Sequence, residues 1–196
     1  MTDLTFTAEN HEYRFKGRVV PSVTQVLTPL TKLWTNGADL ERARAEGVAI
    51  HRTVELDLKG ELDEETLPEW LKPYLAAWRK FVADTGFQLR ASERMLFSET
   101  WGFAGTCDLD GVLTKLKGSP AAVIDVKRTL GGNVIGMQLA GYEKLLIEGT
   151  ALSGRRRRFG LQLKPLKFVE YTDPRDWTDF LTCLAWARLQ QRMREK

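Results

Sequence analysis

A chain of 196 residues with 43% apolar content is long enough to bury a proper core and is expected to form one domain, 1–196. Its formal charge of +3 and pI near 8.9 suit a nucleic-acid partner without requiring one. Apolar runs are short and broken by charge, which excludes a membrane-spanning helix; Cys107 and Cys183 stand in no metal-ligand spacing, which excludes a zinc ribbon or a four-cysteine iron–sulfur cluster and suits a reducing compartment.

The first residues, Met1 to Thr5, lack the basic start and apolar stretch of a secretory signal, so a cytoplasmic location is expected. Tyr13 to Pro21 alternates apolar and basic residues about Lys16 and Gly17, as a β-hairpin does. Ser22 is placed to cap a helix through Val23, Val26 and Leu27 that ends near Pro29. A longer helix is expected from about Gly37 to Leu58, with Arg44, His51 and Glu55 near one stripe. After an acidic loop from Glu61 to Glu65, Leu67 through Ala83 has helical periodicity, with a kink or restart at Pro73.

From Phe87 the pattern becomes alternation, a strand that ends in the turn Glu99 to Gly102. Gly105 to Val112 and Val123 to Lys127 then read as the arms of an antiparallel hairpin, turned by Gly118, Ser119 and Pro120. Folding back places Asp108 roughly opposite Asp125 or Lys127. Alternation puts Asp125 and Lys127 on one face and turns Ile124 and Val126 into the core. Carboxylates converging there repel unless neutralised, and oxygen ligands of this kind suit Mg2+ or Mn2+. Asp110 shares parity with Asp108 and competes with it as a ligand.

Beyond Leu130 to Asn133, a helix from about Val134 to Ile147 carries Gln138 and Tyr142 one turn apart. Arg155 to Leu163 and Leu166 to Tyr171 form two further strands about Pro165, and Asp173 to Trp177 caps a final amphipathic helix. This order describes an α/β fold with a mixed central β-sheet flanked by helices. Four positively charged residues, Arg155, Arg156, Arg157 and Arg158, form either a phosphate clamp or a solvated face. Trp101 and Phe103 either stack on bases or pack inside, while Arg42 and Arg44, shortly before His51 on the same helix, are better placed to meet a nucleic-acid strand.

Set side by side, His51, Gly105 to Asp108, Asp125-Val126-Lys127 and Gln138 to Tyr142 resemble the PD-(D/E)XK nuclease superfamily, in the branch of the RecB nuclease domain and the phage and mitochondrial exonucleases. The likeness spans roughly residues 40 to 146, as GxxD, (D/E)xK and QxxxY; Val20 to Leu27 also looks like the entry of phage-encoded members. The resemblance implies a restriction-endonuclease-like core and a Mg2+- or Mn2+-dependent exonuclease acting on DNA in recombination, repair or replication. It implies metal ligation by Asp108, Asp125, the Val126 carbonyl and His51, with Lys127 serving the attacking water. Gln138 and Tyr142 would position the strand or complete the metal shell, and Glu93 matches an acid of this branch. Arg128 follows the lysine where relatives carry small hydroxylic residues, and could meet a phosphate. An endonuclease on the same core and an inactive DNA-binding module are the competing readings; a homo-oligomer or a recombination partner protein is compatible with all of them.

Overall fold

Two sheets organise the computed structural model, which describes residues 3–31, 40–132, 134–150 and 154–194. The smaller is antiparallel, β1 (Leu4–Thr7), β2 (Glu12–Phe15) and β3 (Arg18–Val20) in that order. Lys16 and Gly17 form its second turn at φ 49° and 77°, the left-handed pair that a two-residue hairpin needs to match strand twist. The expected hairpin is β2–β3; β1 is an addition to it, four residues too short to show periodicity on their own.

Helix α1 (Val23–Thr31) starts where expected. The Gln25 N–H donates to Ser22 Oγ at 3.1 Å and the Ser22 N–H to Gln25 Oε1 at 3.0 Å, a reciprocal cap. The helix does not stop at Pro29 but runs through it to Thr31. So near the C-terminus the ring costs one backbone hydrogen bond and leaves the last residues helical. Helix α2 spans Leu40–Lys59; the expected start at Gly37 lies outside the described residues. Helix α3 (Lys72–Thr85) begins five residues later than Leu67 because Pro73 occupies its first turn, where a missing N–H costs nothing.

The larger sheet has the order β4 (Phe87–Ser98), β5 (Phe103–Leu113), β6 (Ala121–Lys127), β7 (Arg157–Leu163), β8 (Leu166–Glu170). All neighbours are antiparallel except β6 and β7, which are parallel and joined by the crossover helix α4 (Val134–Gly149). The sheet is therefore mixed, as the order of elements predicts. Helix α5 (Arg175–Arg194) closes the chain.

Helices cover both faces of this sheet. On one, Ile50 and Val54 of α2 and Trp78 and Phe81 of α3 pack with Leu109, Ile124 and Val126. On the other, Val23 of α1, Leu139 and Leu145 of α4 and Phe180 of α5 pack with Cys107 and Val123. Burial of both faces explains why β6 reads as a near-continuous apolar run. Among the described residues no helix is long and apolar enough to cross a membrane.

Candidate metal centre

The centre lies where β5 and β6 part. Their ladder runs from Val112↔Ala121 to Leu109↔Ile124 and then stops, although the register would next set Asp108 across from Asp125. Instead Asp108 Oδ2 accepts the Val126 N–H at 2.8 Å, so a side chain replaces the missing backbone acceptor. The strand alternation resets at the same point. Cys107 and Leu109 should share a face, yet they pack into clusters on opposite sides of the sheet. On β4, Ser92↔Leu109 and Arg94↔Cys107 flank the unpaired Glu93 and Asp108, and Glu93 holds φ 46°. A non-glycine residue in that region is strained, and such strain gathers at functional sites.

His51 reaches this gap from α2. Its Nε2 donates to the Val126 carbonyl oxygen at 2.9 Å, leaving Nδ1 3.6 Å from both Glu93 Oε1 and Asp108 Oδ2. Burial alone would depress its pKa, but the charges of Asp108, Glu93 and Asp125 outweigh it and raise the pKa to about 9. The metal-free imidazole therefore carries a proton at neutral pH and fills the role of a cation. Among the described residues His51, Glu93 and Asp108 form a group whose ligand atoms lie within 4.8 Å of one another, compact enough to hold a metal ion.

Asp125 and Lys127 project from β6 on the side covered by α4, and Ile124 and Val126 on the other, as alternation predicts. Only 1% of the Asp125 side chain is exposed. Lys127 Nζ donates to Asp125 Oδ1 at 3.1 Å. It lies nearer Oδ2, at 2.8 Å, but off the axis a hydrogen bond requires, so Oδ2 is buried without an aligned donor. Burial pushes the Asp125 pKa up to about 6, against the pull of Lys127 and with the push of Asp108. Lys127 is raised, its desolvation being outweighed by Asp125 and Asp108. Gln138 Nε2 contacts Asp125 Oδ1 at 3.4 Å and donates to Tyr142 Oη at 3.2 Å, which gives both α4 residues a place behind the carboxylate. Burial and these same acids raise the Tyr142 pKa, so its phenol stays neutral.

The residues fit a divalent cation by charge. Asp108, Glu93 and Asp125 against Lys127 leave a formal balance of two negative charges when His51 is neutral. The ligand atoms of His51, Glu93 and Asp108 gather in the gap, while Asp125, expected as a ligand, lines the same pocket but is not one of that close group. The Val126 carbonyl, expected as a ligand, serves here as the acceptor that orients the His51 ring.

A pocket of about 220 Å³ opens on this centre, lined by Glu93, Asp108, Asp125, Lys127, Gln138 and Tyr142 and also by His11, Tyr13 and Thr24. Arg44 is exposed and lines an adjoining groove with Lys127 and Gln138, whereas Arg42 is exposed and paired with Glu46 at 3.0 Å. Arg128 is half exposed, 3.9 Å from the same Glu46.

Other expected site residues are not brought here. Asp110 makes a fully buried ion pair with Arg156 at 2.8 Å, which removes it from the ligand set and Arg156 from any surface clamp. Arg157 pairs with Glu170, and Arg158 lies 3.1 Å from Asp176 and donates to the Asp173 carbonyl. Of the run of four, Arg155 is the exposed one. The clamp is thus largely a set of internal ties, because the start of β7 is sandwiched between acids of α4, β8 and α5. Trp101 packs edge-on against Trp177 at 5.4 Å, and Phe103 is fully buried, so both are packing residues. His11 is the lining residue that motif reasoning misses; it sits in a turn between short strands, and its only mark is being one of two histidines. A scan against protein-family models gives no match to this chain, and a search of curated proteins gives none either.

Proposed function

We propose that this chain is a metal-dependent deoxyribonuclease of the PD-(D/E)XK type, built on a restriction-endonuclease-like core, that hydrolyses DNA phosphodiester bonds as an exonuclease. The observation that carries the reading is the buried Asp125 carboxylate, ion-paired with Lys127 at 2.8 Å and lining one pocket with Glu93 and Asp108 of the His51, Glu93 and Asp108 cluster on a splayed hairpin. Asp108, Asp125, Glu93 and His51 are the residues that would hold the ion. Mixed carboxylate and imidazole donors accept Mn2+ readily and Mg2+ through their oxygens. A divalent cation bound there would offset the charge that builds on phosphorus and ease ionisation of water.

The chain's own groups do the rest. Lys127 Nζ, tethered to Asp125, presents its remaining N–H donors to the pocket, where they can hold a water or a phosphate oxygen. Gln138 fixes the Asp125 rotamer from α4, and the Tyr142 phenol fixes Gln138 in turn. Arg44, on the rim beside Lys127, supplies positive charge where the DNA backbone would run.

The test is digestion of end-labelled linear DNA. Cleavage is expected with Mn2+ or Mg2+ and none with EDTA, and Asp125→Ala and Lys127→Ala should each lose it. Undiminished digestion by either variant would overturn the site; cutting of covalently closed circles at the rate of linear DNA would turn the reading to an endonuclease.

A further inference from the structure

The pocket lining includes residues from the β1–β2 turn, β2 and α1 that the metal reading does not use. His11 is one of them, in the turn between β1 and β2, at φ 51°. Histidine adopts that left-handed conformation only when its surroundings hold it. Here they do. The Gln25 side-chain amide donates to the His11 carbonyl oxygen at 3.0 Å, and the ring lies edge-on to Phe6 at 5.2 Å and to Tyr13 at 5.8 Å. Tyr13 is itself bolted to β5, its hydroxyl 2.8 Å from Thr106 Oγ1, two residues before Asp108. The ring is thereby referenced to the strand that carries the metal cluster.

The ring is tied to the start of α1: His11 Nε2 lies 3.1 Å from Thr24 Oγ1, which lies 3.1 Å from Ser22 Oγ, the acceptor of the Gln25 backbone N–H. With Nε2 engaged by Thr24, Nδ1 is the ring nitrogen left for a ligand. Burial, with the charge of Arg44 added, lowers the pKa, so the ring is neutral at pH 7. His11 is then a neutral imidazole in a lining that also holds the hydroxyls of Tyr13, Ser22 and Thr24 and the carboxylates of Glu93, Asp108 and Asp125. Among the described residues its side-chain hydrogen bond engages Nε2, so Nδ1 is left for something that enters the pocket.

We propose that His11 is a substrate-positioning residue, which makes a hydrogen bond through Nδ1 to the nucleotide seated in this pocket while the scissile phosphate lies over the metal cluster. The proposal rests on the nuclease reading. It assigns His11 no part in metal binding and no proton transfer.

The test combines three variants with three readouts: steady-state cleavage of a linear oligonucleotide with Mn2+, binding of the same oligonucleotide with Ca2+ where turnover is blocked, and thermal unfolding in EDTA. His11→Ala and His11→Phe should each raise KM and the oligonucleotide Kd about 10-fold, the scale of one lost hydrogen bond, with Mn2+ affinity unchanged. His11→Asn, which tolerates the left-handed backbone and keeps an amide able to donate or accept a hydrogen bond, should stay within about 3-fold of the wild type. Wild-type behaviour of His11→Phe, or equal damage in His11→Asn and His11→Ala accompanied by a lower Tm, would assign the ring to packing and overturn the proposal. A wild-type protein that binds but does not cut would sink the nuclease activity while leaving the binding comparison decisive; one that neither cuts nor binds would overturn both.

Discussion

Asp108 and Val126 are joined by a hydrogen bond of 2.8 Å from the backbone N–H of one strand to the carboxylate of its neighbour, at the position where the ladder between those strands ends. The carboxylate is thus both a piece of the sheet and a member of the metal cluster. The two roles separate by substitution. Asp108→Asn keeps an oxygen able to accept the N–H, so its Tm in EDTA should stay near the wild type while Mn2+ affinity falls by at least an order of magnitude. Asp108→Ala leaves the N–H without its acceptor and should cost a further ~1–3 kcal/mol in urea unfolding. Equal stability of the two variants would show that the hydrogen bond does not support the sheet.

Metal binding should release protons. His51 ligates only as the neutral ring, and its metal-free pKa is about 9, so Mn2+ binding at pH 7.5 should expel about one proton, falling to about half a proton at pH 9 and vanishing well above it. Calorimetry in buffers of different ionisation enthalpy measures this directly, and His51→Gln should abolish it. The same shift sets the pH dependence of stability. A folded pKa raised from 6.5 to about 9 contributes stability that is complete below 6.5 and is lost as pH rises through 9. Asp125, raised from 3.8 to about 6, behaves alike, its contribution present below 3.8 and lost through 6. The metal-free Tm should therefore fall between pH 6.5 and 9 more in the wild type than in His51→Gln, and stabilisation by Mn2+ should grow over that interval.

The buried pair of Asp110 and Arg156 makes a prediction of the opposite kind, a large effect on folding with none on the metal. Removing one partner strands the other charge where both are 1% exposed, so Asp110→Ala should destabilise by about 3–5 kcal/mol. The double replacement Asp110→Leu with Arg156→Met should recover most of that loss, and whatever folds should bind Mn2+ as tightly as the wild type. Weakened metal binding in the folded double variant would return Asp110 to the ligand set.

Glu93 combines strain with function. At φ 46° a glycine is relaxed where glutamate is not, so Glu93→Gly should gain about 1 kcal/mol in EDTA over Glu93→Ala. Both variants should lose the same Mn2+ affinity, because both lack the carboxylate that faces His51 Nδ1 at 3.6 Å. Matching stabilities for the two would mean that the backbone there is not held under strain.

Residue type and spacing made much of this architecture readable. Gly118, Ser119 and Pro120 have no place in a ladder, so the strands on either side had to turn there, and a strand period of two separates Asp125 and Lys127 from Ile124 and Val126 whatever surrounds them. The start of α1 at Ser22 followed from local chemistry as well, and a restart at Pro73 was one of the two outcomes that the proline allowed. Pro29 did not, because the cost of a proline depends on how many hydrogen bonds follow it, and in α1 few do.

What a charge does was not readable in the same way. Nothing in the composition of Arg155 to Arg158 tells a clamp from a set of internal ties, since the acids that claim three of these side chains come from α4, β5, β8 and α5. Asp108 and Asp110 share parity in an ideal strand, and only the reset of alternation at Asp108 sends one to the metal cluster and buries the other against Arg156. His11 reaches the pocket through a turn whose position depends on Tyr13 finding Thr106, 93 residues along the chain. Most helices and strands, the mixed sheet and the hairpin that carries the acids were thus legible in residue order, β1 and the exact ends of α1 and α3 excepted, because they rest on backbone periodicity and local turn chemistry. Tertiary structure alone decided which carboxylates meet, which arginines stay at the surface and what else lines the pocket, because electrostatic partners are chosen by distance in space and not by separation along the chain.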